Sequence, residues 1–163
     1  ISNLNKSRIE SDMTKDELKI KFESLQEGLS FEEGTEWLTI NVDPEGFRNF
    51  ALVLRNNNEL HFDYLFCLTA VDWKTHLSVL YPFSSTVFRY EVVIKVKIEK
   101  ANPIVDTVCY IWRTAECHER EAYDLLGVEF VGHPELRRLF LTPDHEGFPL
   151  RKDYEDPINM IKL

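Results

Sequence analysis

The sequence predicts an α+β fold: a mixed or antiparallel sheet with helices packed on it, followed by an extended irregular C-terminal tail. Three observations predict it. Helix-spaced apolar residues occur before and between strand-like segments. One of those segments alternates: Val92, Ile94, Val96 and Ile98 face one way, and Glu91, Lys95, Lys97 and Glu99 mostly face the other, as in a half-buried antiparallel strand. After Gly127 the periodicity fades, and Pro134, Pro143, Gly147, Pro149 and Pro157 punctuate the chain. About 35 residues without a period is more than an ordinary connection needs, so the tail calls for a surface to lie on.

The elements follow in order. Thr14-Lys15-Asp16-Glu17 matches a capping box, in which hydroxyl and carboxylate satisfy the free donors of a first helical turn. Leu18, Phe22, Leu25 and Leu29 continue at helical spacing until Gly28 can stop the helix. Residues 37–42 alternate as a short strand. Asp43-Pro44 starts a second helix with Phe47, Phe50, Ala51 and Leu54 on its apolar face, and Asn56-Asn57-Asn58 ends it. Residues 64–72 are apolar on both faces, which suits a central strand. Residues 77–82 and 87–98 read as a hairpin around Ser84-Ser85, broken by Asn102-Pro103. Residues 104–112 fit a short helix or a strand. Residues 116–126 form a helix ended by Gly127, and short turns are expected at residues 135–139.

A chain of 163 residues fits one domain. It divides into a flexible N-terminal arm (1–13), an α+β core (14–132) and an extended C-terminal docking segment (133–163). The longest apolar runs fall far short of the ~20 residues a spanning helix needs, so membrane contact is expected only through partners. A net charge of −9 argues against nucleic acid as a partner. Cys67, Cys109 and Cys117 are odd in number and widely spaced, which implies neither a disulfide framework nor a four-thiolate cluster. No export signal, dinucleotide fingerprint, phosphate loop or nucleophile elbow is present.

Three stretches hold chemistry-bearing residues. In the helix, Glu119 or Glu121 could be a general base, or His118, Glu121 and His133 metal ligands. Ala122 stands where a zinc-protease pattern needs its second histidine, which favours a charged helix face with Arg120 paired to Asp124. Next, His133 and Pro134 form a stiff corner before Arg137 and Arg138. Two arginines could hold an anion, but the acids of the helix need counter-charges when covered, which favours an internal or inter-subunit salt bridge. Last, Asp144, His145 and Glu146 read as a solvated turn. Pro149, Leu150, Arg151, Lys152, Asp153 and Tyr154 read as an extended docking strip with one apolar anchor.

Together these stretches resemble one family. Glu119-Arg120-Glu121, Tyr123-Asp124-Leu125-Leu126-Gly127-Val128, Phe130, Gly132-His133-Pro134, Leu136-Arg137-Arg138 and Pro149-Leu150-Arg151-Lys152-Asp153-Tyr154 are similar to the C-terminal motif set of the C-type subunits of the NADH–quinone oxidoreductases, the respiratory complex I family. About 20 positions fall in order over about 36 residues, a specific signal. Phe62-Asp63-Tyr64-Leu65 and Ala70-Val71-Asp72-Trp73 resemble the same family's central strand, and the closing Ile158-Asn159-Met160-Ile161-Lys162-Leu163 resembles versions from Bacteroidetes-type bacteria. Glu116-Cys117-His118, Phe140 and His145 depart from the usual pattern.

The resemblance implies a structural subunit of a peripheral arm, on the cytoplasmic side of the inner membrane. It implies packing on the large quinone-site (D-type) subunit near the small cluster-bearing (B-type) subunit, no catalytic residue or metal, and no cofactor in this chain. FMN and iron–sulfur clusters are expected in other subunits. Glu119, Glu121, Asp124, Arg137 and Arg138 are expected to form a charge network fixing the last helix against the tail, with Leu150, Arg151, Lys152 and Tyr154 anchoring the tail on the partner. Two rival readings remain. One is the equivalent subunit of a membrane-bound hydrogenase or ferredoxin-driven quinone oxidoreductase; the chain's end soon after the motif set is the expectation for an unfused subunit. The other is a metal-dependent hydrolase using His118, Glu121, His133 and His145.

Overall fold

A computed structural model describes residues 13–26 and 28–156. The expected N-terminal arm and the closing motif at residues 158–163 therefore lie outside the described residues, apart from Met13.

Helix α1 (Lys15–Leu25) opens with the capping box its sequence spells. The Thr14 hydroxyl accepts from the Glu17 N–H, and the Glu17 carboxylate accepts from the Thr14 N–H. Strands β1 (Ser30–Glu32) and β2 (Leu38–Val42) follow, then a 3₁₀ turn at Pro44–Gly46 and helix α2 (Phe47–Asn56). Pro44 thus starts a tighter turn, and the α-helix proper begins three residues later. β3 (Tyr64–Leu65), β4 (Thr69–Asp72), β5 (His76–Ser84), β6 (Glu91–Glu99) and β7 (Ile104–Asp106) lead to helix α3 (Ala115–Leu126) and β8 (Glu129–Val131).

The main sheet runs β1-β2-β6-β5-β3, with β4 also on β5. β2 and β6 are parallel, and the other pairs in this sheet are antiparallel, so the sheet is mixed. Register places the core on one face. Leu77, Val79, Tyr81 and Phe83 of β5 lie opposite Ile98, Val96, Ile94 and Val92 of β6. The last three lie in turn beside Val42, Ile40 and Leu38 of β2. The helical segments cover that face: Phe47 of α2 meets Tyr81 at 4.4 Å between ring centroids, Trp112 before α3 meets Phe83 at 4.4 Å, and Phe22 of α1 stacks on Phe62 at 6.0 Å. Each such fully buried aromatic contributes roughly 1.5–3 kcal/mol.

Several expectations are corrected. Residues 64–72 form two short strands on the outer side of β5 rather than one central strand. The run is apolar on both faces because Leu65 and Leu68 enter the core while Phe66 joins Trp37 and Tyr64 on the opposite face. Between the two strands the chain turns inward. The carbonyl oxygens of Phe62, just before β3, and of Leu65, its last residue, accept from Trp112 Nε1 and the Thr114 hydroxyl. The second arm of the hairpin starts at Glu91 rather than Val87, because the Ser85 N–H donates to the Tyr90 carbonyl and closes a longer loop. Residues 104–112 resolve as strand β7 followed by turns, and β8 pairs with β7 in a separate two-stranded parallel sheet. The tail to residue 156 is irregular as expected, but Pro149 to Tyr154 is turned rather than extended. The Arg151 N–H donates to the Phe148 carbonyl, and the Tyr154 N–H to that of Arg151.

Candidate functional site: a charged helix and the tail it holds

Helix α3 turns Glu119, Arg120 and Asp124 inward and leaves Glu121 exposed. The end of a helix leaves carbonyl groups without intrahelical donors, and cations are favoured there. The last turn of α3 contains no basic residue of its own. The tail supplies them. Arg138 Nη1 donates to the Asp124 carbonyl at 3.1 Å, Arg151 Nε to the Leu126 carbonyl at 2.7 Å, and the Leu150 N–H to the Leu125 carbonyl at 3.0 Å.

Asp124 is the centre of this arrangement. One carboxylate oxygen accepts the backbone N–H groups of Leu139, Phe140 and Leu141 at 2.7–3.0 Å, and the other accepts Arg138 Nη1 at 2.9 Å. Burial alone would push this carboxyl up, but the three N–H bonds and the guanidinium outweigh it and hold it down at about 2. Arg138 reaches on to the carbonyls of His145 and Gly147. Arg120 does not pair with Asp124, as helical spacing suggested. Its guanidinium donates to the carbonyls of Arg137 and Arg138, both at 3.3 Å, and so fixes the backbone that carries Arg138.

The expected five-membered charge network is therefore smaller. Asp124 and Arg138 belong to it. Arg137 is exposed and pairs with exposed Glu135 at 2.8 Å. Among the described residues no cation lies within ion-pair distance of Glu121. Glu119 is buried and takes its bonds from the turn after β7: the Thr107 hydroxyl at 2.5 Å and the Val108 N–H at 2.8 Å. Burial without a cationic partner pushes its carboxyl up to about 7, against those two bonds. His133 pins the corner before Pro134. Its Nδ1 accepts from the Glu135 N–H, which fixes the tautomer, and its Nε2 donates to the Glu116 carbonyl at 3.0 Å.

The final strip docks on this same chain. The Phe148 ring lies over Gly127, with the Arg151 guanidinium 4.7 Å from its centroid. The Lys152 N–H donates to Asp72 at 2.8 Å, and Lys100 bridges Asp72 (2.8 Å) and Asp153 (3.0 Å). Pro149 is half-buried, and Tyr154 packs over Gly147 with its hydroxyl 3.3 Å from His145. Arg151, Lys152 and Tyr154, read from sequence as anchors on a partner, thus hold the tail in cis. Leu150 is 59% exposed, and Phe140 64%, beside Leu139. Sequence reading missed Thr107, Lys100 and Phe148 as tail-holding or helix-holding groups, and no local pattern marks them.

Gly127 ends α3 with φ +71, and a Cβ there would stand 2.5 Å from the Phe148 ring and 2.8 Å from the Arg151 guanidinium. Gly127→Ala is expected to cost about 1–3 kcal/mol from strain and overpacking. Thermal unfolding would show the loss, and trypsin should cut after Arg151 sooner than in the parent chain. Unchanged melting and cleavage would contradict the packing described.

The metal set His118, Glu121, His133 and His145 is not assembled. Among the described residues, one trio of potential ligands converges: Cys109, Glu119 and His133, with atoms within 4.8 Å of one another. The ring nitrogens of His133 and both oxygens of Glu119 already have protein partners. No helix among the described residues is long and apolar enough to cross a membrane.

Fold and site define a small α+β domain whose charged centre fixes its own C-terminal segment and leaves Leu139, Phe140 and Leu150 exposed. Comparison with known proteins makes the assignment specific. The chain belongs to the family described as respiratory-chain NADH dehydrogenase, 30 kDa subunit, whose model matches residues 40–157. It is similar to the NADH-quinone oxidoreductase C subunit of Chloroherpeton thalassium, with 41% identity over 71% of this chain and 48% of that protein. It is also similar to the fused C/D subunit of the same enzyme from Phocaeicola vulgatus, with 38% identity over 76% of this chain and 24% of that protein. The chain thus spans about half or less of those two curated relatives. The same fold occurs in a chain of an archaeal membrane-bound sulfane sulfur reductase (TM-score 0.73, 24% identity, 86% of this chain and 85% of that one). It occurs again in the trypsin-resistant fragment of Nqo5 (TM-score 0.64, 24% identity, 76% of this chain and 100% of that one).

Proposed function

We propose that this chain is a structural subunit of the peripheral arm of a proton-pumping NADH–quinone oxidoreductase. Such a complex passes electrons from NADH through FMN and iron–sulfur clusters to quinone. This chain scaffolds the quinone-site (D-type) subunit, lies near the cluster-bearing (B-type) subunit, and holds no redox centre itself. It reaches the cytoplasmic face of the inner membrane through those partners. The observation that carries the reading is the rim formed by Leu139, Phe140 and Leu150. These large apolar side chains are exposed, yet their backbone N–H groups are held by Asp124 and by the Leu125 carbonyl. A preordered apolar anchor loses little entropy on binding, which is what an interface hot spot needs. The Phocaeicola relative, named as a C/D fusion, puts a matching segment on one polypeptide with the D-type subunit and supports that partner.

The equivalent subunit of a related respiratory complex is the second reading, favoured by the fold shared with the sulfane sulfur reductase chain. Affinity capture of the assembled complex separates the two. Flavin- and nicotinamide-binding subunits in the capture establish NADH as donor, and hydrogenase-type subunits would overturn the choice. Phe140→Asp tests the rim. Burying a charge at a hot spot should cost at least 2 kcal/mol, roughly a thirtyfold loss of the captured quinone-site subunit. The melting temperature of the free chain should not change. Undiminished capture would refute the rim as the docking element.

A further inference from the structure

Glu119 has no place in the tail-holding network, yet it is fully buried. Its surroundings are unusual for a carboxylate. Arg120, its neighbour on α3, is committed to the carbonyls of Arg137 and Arg138. His133 Nε2 is 4.0 Å away, with its hydrogen directed at the Glu116 carbonyl. Tyr81 of β5 and Asp106 of β7 are the other titratable groups that sense this region, with Cys109 from the turn after β7 and Glu116 from α3 itself. No lysine or arginine among the described residues lies within ion-pair distance of Glu119.

The hydroxyl between these groups decides what the cluster can do. A threonine hydroxyl has one donor and two acceptor lone pairs. Thr107 Oγ1 accepts the Cys109 N–H at 3.2 Å and lies 2.5 Å from Glu119 Oε2. The Cys109 sulfur lies within 4.8 Å of a Glu119 carboxylate oxygen, beside that hydroxyl. We propose that Glu119, Thr107 and Cys109 form a buried proton-uptake site in which the Thr107 hydroxyl acts as a rotor between two hydrogen-bonded states. In the anionic state Thr107 O–H donates to Glu119 Oε2, and the Val108 N–H donates to Oε1. On protonation one proton passes from solvent to Oε2. Glu119 O–H then donates to Thr107 Oγ1, and the Thr107 O–H turns to the Cys109 sulfur. The reverse rotation returns the proton to solvent. In both states the Glu119 carboxyl and the Thr107 hydroxyl keep hydrogen-bond partners, so the site can change charge without disturbing the joint between the β7 turn, α3 and the His133 corner.

Two physical arguments support it. A buried charge without a cationic partner is costly. The three hydrogen bonds on offer suit either protonation state. Burial raises the Glu119 carboxyl from 4.5 to about 7, so both states are populated near neutral pH. Because the folded value is the higher one, the folded chain binds more protons between pH 4.5 and about 7, and stability falls as pH rises through that window.

Infrared titration of the chain reads the site directly. Expected is one carboxylic-acid C=O band that disappears with a midpoint near 7 and is missing in Glu119→Gln. Cys109→Ala removes the rotor's second acceptor and should move the midpoint down, and Cys109→Ser should restore it. Both leave Glu119 and Thr107 in place, so the test stands even where Glu119→Gln fails to fold. A midpoint unmoved in Cys109→Ala would overturn the rotor. Absence of a band titrating near neutral pH, or its survival in Glu119→Gln, would overturn the site.

Discussion

Asp124→Ala is expected to cost roughly 3–5 kcal/mol, the range for removing one partner of a buried, hydrogen-bonded charge pair. The size follows from what the carboxylate does. It accepts three consecutive backbone N–H groups and one guanidinium nitrogen with two oxygens. Alanine would leave the Arg138 charge partly buried and three N–H groups without their acceptor. Residues 139–141 would then lose their course, and the apolar rim would lose its fixed presentation. At roughly 2–4 °C per kcal/mol for a chain of this size, the melting temperature should fall by about 6–20 °C. Asp124→Asn keeps an acceptor oxygen but places an amide donor among donors, so an intermediate loss is expected. A double-mutant cycle with Arg138→Ala should give a coupling above about 1 kcal/mol, since the two side chains touch. A loss below about 1 kcal/mol in Asp124→Ala would mean that the tail is not held from this residue.

Much of the fold is legible because its signals are local. The capping box at Thr14, the alternation from Glu91 to Glu99 and the stop at Gly127 each depend on neighbours within a few residues, and each is where the periodicity puts it. β1 and β8 have three residues each, too few to show a period, and they exist because a partner strand lies beside them. Residues 64–72 mislead because apolar side chains on both faces can mean a central strand or an edge segment covered on both sides. The site divides in the same way. The motif strings single out Asp124, Arg138 and Arg151, and these do hold the tail. They cannot say which acid meets which base. Glu119 is 12 residues from its hydroxyl partner, and Lys152 is 80 residues from Asp72. Such pairings are set by topology, so Arg137 and Glu121 look equivalent to Arg138 and Asp124 until the chain is folded.

The acid side of the stability profile should belong to two carboxylates, Asp72 and Asp124. For Asp72, burial by itself would raise the carboxyl; Lys100 and the N–H groups of Lys152 and Lys74 outweigh it and hold it at about 2 against 3.8. The sign is that of a depressed acid. Its contribution is fully present above pH 3.8, and it is lost as pH falls from there through about 2. Each carboxylate should therefore contribute about 2 kcal/mol that disappears over that window. Asp72 sits on β4, Lys100 follows β6, and the Lys152 N–H belongs to the tail. Acid should thus release the end of the tail from the sheet. Asp72→Asn should reproduce that release at neutral pH. Expected are faster tryptic cleavage at Arg151 and Lys152, a lower melting temperature at pH 7, and a shallower fall in stability between about pH 4 and pH 2 than in the parent chain. Asp124→Asn should flatten the same limb by a similar amount. An acid limb of equal depth in Asp72→Asn would show that the tail is held without Asp72, and the Lys100 bridge to Asp153 would then have to carry it alone.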